Sequence, residues 1–315
     1  AGSTLAINGG AVSTTGNQTY GDAVTLGVDT LLTGDTVNFG STLAGGGNAL
    51  AITGNAEFDD TATALTTLSV SGNTDIDGTA VTTTSHQTYT GDVTLGNNVT
   101  LTVGGNAIFG AAIDGDGTDR DLTINTTGTT SFGGAIGAST INSLNLDTAG
   151  PLSVTVDITT VDLLDVTVND SAASGDDLTV ASGSTLTSTT GNIVLSVGDN
   201  FTLESGATLS SASAGATVVI SVDAGISDVT NGSTFTIDGT ITATSGTTIT
   251  GGDEADTFDI LPQVNSTIGV VGGNPTTDPG DTLSLDLSGV TDSSLNTTSA
   301  NAGTFSFTGA ANVTY

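Results

Sequence analysis

The 315-residue chain has no cysteine, methionine, tryptophan or lysine, and a single arginine, Arg120, and a single histidine, His86. Without thiols there is no disulfide, thiolate metal site or cysteine nucleophile. Without lysine there is no Schiff-base chemistry and no Walker-type phosphate grip. One histidine and one distant arginine leave little from which to build a Ser-His-Asp triad or an oxyanion clamp. Acids are so numerous that no pair is singled out for glycoside hydrolysis, and three tyrosines offer few platforms for sugar stacking. The chain therefore reads as a non-enzyme.

Positive charge is almost absent, because 33 acids face that one arginine and set the net charge at −32. Nucleic-acid binding, which depends on Lys and Arg displacing counterions, is excluded, as is attraction to anionic membranes. No apolar run approaches the 18 residues that a membrane helix needs, so no membrane insertion is expected. The opening AGSTLAINGG has no basic stretch followed by an apolar one and reads as a mature or excised segment.

Hydrophobic residues make up 36 % of the chain and mean hydropathy is +0.19, which does not match the low-hydrophobicity signature of disorder. The apolar residues alternate with polar ones, as in LTTLSVS (65–71), VTLTV (99–103), NIVLSV (192–197) and DTLSLDL (281–287). Period two means strand, and the Gly, Asn and Asp between the runs are turn residues. The pairs Leu122/Ile124, Leu144/Leu146 and Val166/Val168 recur at 22-residue steps, and Phe39 to Phe58 is 19. Returning strands at this spacing predict an all-β fold, a right-handed parallel β-helix (β-solenoid) with rungs of 19–24 residues. Roughly 14 or 15 rungs at about 4.8 Å each would make a rod of about 70 Å. A string of Ig-like sandwiches is the alternative, which the spacing and the scarcity of aromatic anchors disfavour. A longer repeat sets QTYGDAVTL against QTYTGDVTL, with Tyr20 and Tyr89 69 residues apart, and is read as three rungs. His86 takes the place of Asn17 in that repeat and reads as a turn residue.

The QTY-x₃-VTL strings, the Phe-Gly steps that follow them and TSFGGAIGASTINSLNLDTAG resemble the β-strand repeats of very large bacterial secreted surface proteins, of the filamentous-haemagglutinin and giant-adhesin type. The resemblance covers residues 10 to 150, and from 150 to 250 only the rung pattern persists. Residues 251–315 resemble the section that closes such repeats, which sets expected domains of 1–250 and 251–315. The resemblance implies a β-solenoid exported to the cell surface.

Gly251-Gly252-Asp253-Glu254-Ala255-Asp256-Thr257-Phe258-Asp259 resembles the calcium-binding nonapeptide of RTX proteins, with Glu254 in place of the fourth-position glycine. An interrupted second copy follows at Gly272-Gly273-Asn274 and Pro279-Gly280-Asp281. That likeness implies Ca²⁺ shared by Asp253, Asp256 and Asp281; the alternative is two Gly-Asp turns before strands. A second cluster, Asp114, Asp116 and Asp119 beside Arg120, offers the hard oxygens calcium takes. Its order fails the EF-hand pattern, and a solvated loop is the alternative.

The expected function is an extracellular structural or adhesive solenoid, with calcium as a candidate stabiliser and surface glycans or other cells as partners. Open strand edges favour self-association end to end or side by side, so a filament, sheath or surface-layer subunit is the alternative. Ice binding is a further one. It requires Thr-x-Thr pairs ranked at the rung period, and the pairs at Thr100, Thr185, Thr234, Thr240 and Thr248 follow at 85, 49, 6 and 8. Trypsin has one possible cut, after Arg120, so digestion should yield at most two large fragments on a denaturing gel.

Overall fold

The structure is a computed structural model that describes residues 3–138, 140–169, 171, 175–223, 232–274, 280–288, 290, 292–299 and 302–315. Its regular elements are all β-strands among the described residues. The chain forms two compact units, Ala1–Thr148 and Ala149–Tyr315. The boundary expected near residue 250 lies inside the second unit, whose parallel sheets continue through Ile260 and Val271.

The first unit winds through three parallel ladders. One carries Leu5, Val24, Leu43, Ala62, Val81, Leu101, Ile124 and Leu146 in register. The next carries Val12, Leu32, Ile52, Val70, Tyr89, Phe109 and Phe132. The third carries Tyr20, Phe39, Phe58, Ile76, Leu95 and Gly115. Strand alternation turns these residues inward, and parallel register sets each on its counterpart one turn away. All are buried except those near the unit's ends, where Leu5 is 44 % exposed.

The second unit repeats the plan with longer turns. Leu152, Leu178, Phe201, Phe235, Phe258 and Leu283 form one ladder. Ile158, Leu186, Leu209 and Ile241 form another, and Val166, Leu195, Ile220, Ile249 and Val270 the third. It ends differently. The hairpin of Ser293–Ser299 with Ala302–Phe307 is antiparallel, and Val313–Thr314 joins it to the parallel strand Ile268–Val271.

Eight levels on the first ladder make seven turns, and six levels from Leu152 to Leu283 make five. The β-solenoid thus has about twelve turns, against the expected 14 or 15. The difference lies in turn length: 18–23 residues in the first unit, but 21–34 in the second.

Aromatic rings stack where the register brings them together. Tyr20, Phe39 and Phe58 lie at centroid distances of 5.4 and 5.5 Å, as do Tyr89, Phe109 and Phe132. These two stacks occupy different sides. Tyr20 belongs to the third ladder and Tyr89 to the second, eleven strand segments later, so the 69-residue repeat spans three and two-thirds turns rather than three. The three sides are near-equivalent, so a repeat that slips by one side meets the same surroundings. Tyr20 and Tyr89 each donate to Gln18 or Gln87 Oε1 at 2.8 Å. Each glutamine in turn donates to carbonyls six residues before and fifteen after, Val12 and Thr33 or Val81 and Thr102. The phenol and amide are thereby satisfied inside an apolar core, as buried polar groups must be.

Corners are tight. At Gly54 φ is +128°, and a Cβ there would run into the Gly34 carbonyl of the adjacent turn; only glycine fits. Truncating the middle of a stack, Phe39→Ala, should cost about 3–5 kcal/mol, whereas Tyr20→Phe, which strands one acceptor, should cost about 1 kcal/mol. Denaturant midpoints check this, and a loss under 1 kcal/mol for Phe39→Ala would contradict a continuous stacked core.

Candidate functional site

A solenoid's strands satisfy one another's backbone groups, but where the chain bends at a corner some N–H groups lose their carbonyl partners. Short polar side chains of the adjacent turn take over. Asn55 accepts from the Asn73 amide at 2.9 Å, Asn73 from Asp92 at 3.1 Å, and Asp92 from Ala112 at 3.1 Å. In a second column His86 Nδ1 accepts from Asn106 at 2.8 Å, and Asn106 Oδ1 from Thr129 at 3.1 Å. His86 therefore sits in a turn and does there what asparagine does. Asp157, Asn192 and Asp177 serve the second unit in the same way.

The sequence-predicted acids of the second unit belong to such a column. Thr257 and Thr282 are in register, which sets Asp256 and Asp281 one turn apart. Asp256 accepts from the amides of Ser233 (2.7 Å) and Gly252 (2.8 Å), one on each oxygen, and its own N–H donates to Asp281 at 3.0 Å. Asp253 lies in the same bend, accepting from the Asn274 amide group at 3.1 Å and donating its N–H to Asp223 at 3.0 Å. Pro279 of the interrupted second copy lies outside the described residues.

Sequence reasoning missed that Asp176 and Asp199 stand in register with Ser233, Asp256 and Asp281. Asp199 Oδ2 accepts from Asp176 N–H at 2.8 Å and from the Gly175 amide. The signal was present: each of these aspartates falls two positions before the first inward residue of a strand, namely Leu178, Phe201, Phe258 and Leu283. Amide donors aim at both Asp256 oxygens, so the carboxylate works as a structural acceptor between turns. Among the described residues no group of three or more His, Asp or Glu side chains is gathered as one ion site.

The first unit holds its acids differently. Asp114 lies on strand Ile113–Gly115 in register with Thr94, which is in register with Asp75, itself in register with Glu57. One residue past the third ladder, Asp59, Asp77, Gly96 and Asp116 repeat at matching positions, each amide bonded to the turn before. Two files of carboxylates thus run along one side, with Thr94 and Gly96 as their shared gap. Burial first, then Asp77, Glu57, Asp116 and Asp59, raises the Asp75 pKa above the ordinary carboxylate value. Arg120 is the local counter-charge: its Nε and terminal nitrogen hold Asp116 at 3.1 and 2.7 Å and lower that carboxyl to about 2. Asp119, the third predicted member, is exposed on the bend and outside both files. The files form an open, cation-attracting surface rather than an enclosed site.

Burial dominates at Asp256, which is 1 % exposed, and raises its pKa to about 6; Asp281 and Asp223 add to the rise, while the Ser233 and Gly252 amides oppose it. The folded chain thus binds this proton more tightly than the unfolded one, so ionisation of Asp256 costs stability that is recovered as pH falls through 6 toward the ordinary carboxylate value of 3.8. The melting temperature should rise over that window, and Asp256→Asn should rise less. Parallel profiles for the two proteins would contradict the assignment. Family models, curated proteins and solved structures yield no match to this chain, so the reading of its sites rests on their own geometry.

Proposed function

We propose that the chain is a structural segment of an extracellular bacterial surface protein, a β-solenoid whose work is mechanical and interfacial. What supports this is the direction of its polar chemistry. Corner Asn, Asp and His side chains bond to the adjacent turn instead of converging on a substrate-sized space. A stack so bonded along its axis is a stiff spacer, and its outward sides are free to meet glycans or another cell. Scarcity of Lys and Arg suits exposure to proteases. In this reading calcium acts as a counterion along the acidic files of the first unit, and its effect is one of screening.

A self-assembling filament or layer is the second reading, favoured by one observation. Thr4–Ile7, Ala11–Ser13 and Gln18–Tyr20 are each paired along one edge only among the described residues. Edges of this kind accept a further strand, whether from a preceding segment of the chain or from a second copy. Size-exclusion chromatography with light scattering, in EDTA and in millimolar calcium, separates the two. The spacer reading expects a monodisperse monomer in both; polymers that grow with concentration would overturn it in favour of assembly.

A further inference from the structure

One side of the second unit carries a lattice that the sequence spacing concealed. Thr185, Thr208 and Thr240 are in register on successive turns, as are Thr187, Ser210 and Thr242, with Thr159 extending the second file. No register shift interrupts these pairings. The sequence steps from Thr185 are 23 and 32, because the turn between Ser211 and Thr240 includes residues 224–231, which lie outside the described residues. Unequal steps in the chain are therefore equal steps in space, and the objection to ranked threonines drawn from spacing fails on this side.

Threonine suits any strand, so its presence alone carries nothing. What marks this side is that both of its outward files carry hydroxyls on three successive turns, where Val194 and Val219 or Asp259 interrupt the matching files of the unit's other sides, and that these hydroxyls are turned away from the protein. Thr148 donates to Gly128 O at 3.0 Å, Thr190 to Val161 O at 2.6 Å and Ser211 to Gly191 O at 2.6 Å, the habit of corner hydroxyls in this protein. Among the described residues the hydroxyls of Thr185, Thr187, Thr208, Ser210, Thr240 and Thr242 have no protein partner. All six are partly or fully exposed, so each must be satisfied by water.

The lattice repeats at about 4.8 Å between turns and about 6.6 Å along each strand. β-Branching holds the threonine side chains in few rotamers, so ordering the water above them costs little side-chain entropy. The methyl groups between the hydroxyls leave that water few other partners. No charged side chain stands in the three ranks; Asp162, Glu204 and Asp238 are kept to the bends beside them, and Asp157 occupies the matching position one turn earlier. Carboxylates impose their own hydration, so their exclusion preserves the spacing of the bound layer.

We propose that this side of the second unit binds ice, its hydroxyl ranks anchoring a layer of water that merges with the crystal surface. It is a binding activity separate from the spacer role and does not depend on it. The test uses the full chain in thermal-hysteresis and ice-recrystallisation assays. Expected are faceted crystals and a measurable hysteresis gap, lost in Thr208→Tyr, which places a bulky ring on the central rank. Thr240→Lys, at the more exposed rank, should lose it too, and melting curves establish that each variant folds. Ser196→Tyr, outward on a neighbouring side, should retain the wild-type gap. Absence of hysteresis in the wild type, or equal loss in Ser196→Tyr, would overturn the proposal.

Discussion

In-register parallel stacking is the constraint on which the rest of this structure depends. Once each turn lies directly on the last, every side chain has its counterpart about 4.8 Å away. Like must then tolerate like. Apolar residues and aromatic rings gain from this, and the two Tyr-Phe-Phe stacks are the result. Like charges do not gain, and Asp75, pushed above its ordinary pKa by burial and by four acidic neighbours, records that penalty. Thr94 and Gly96 interrupt the acidic files where an unbroken run would have added two more carboxylates.

The same constraint explains why the acids are almost all aspartate, with glutamate only at Glu57, Glu204 and Glu254. A corner amide lies within one short side chain of the turn beside it, and Asp or Asn spans that gap without the rotamer entropy a longer side chain would lose. Much of the −32 charge is thus a by-product of capping backbone donors. At Asp256 this goes furthest: two amides hold the carboxylate, yet burial still lifts its pKa to about 6. The element with the strongest sequence likeness to a calcium motif is, in its geometry, an inter-turn staple.

Near-equivalence of the three sides has a further consequence. A sequence repeat has no need to close on a whole number of turns, and the 69-residue repeat ends one side short of four. The Gln-Tyr pair keeps its bonds because its partners, six residues before and fifteen after, move with it. Surface features carried by successive copies would therefore rotate around the solenoid instead of lining one side.

Alternating apolar residues with turn residues between them were enough, by themselves, to specify an all-β chain of stacked parallel turns, because strand period and turn chemistry are local properties. In the first unit the regular 19-residue step made even individual partners, such as Phe39 on Phe58, legible. Turn count, the side each repeat faces and the company each aspartate keeps were decided only by tertiary structure. Those depend on how many residues each corner absorbs, and a loop of any length returns the next strand to the same ladder. For the same reason Thr185, Thr208 and Thr240 look unrelated along the chain and stand in one file in space. Register is set by the packed core, which draws each inward residue onto the one before it.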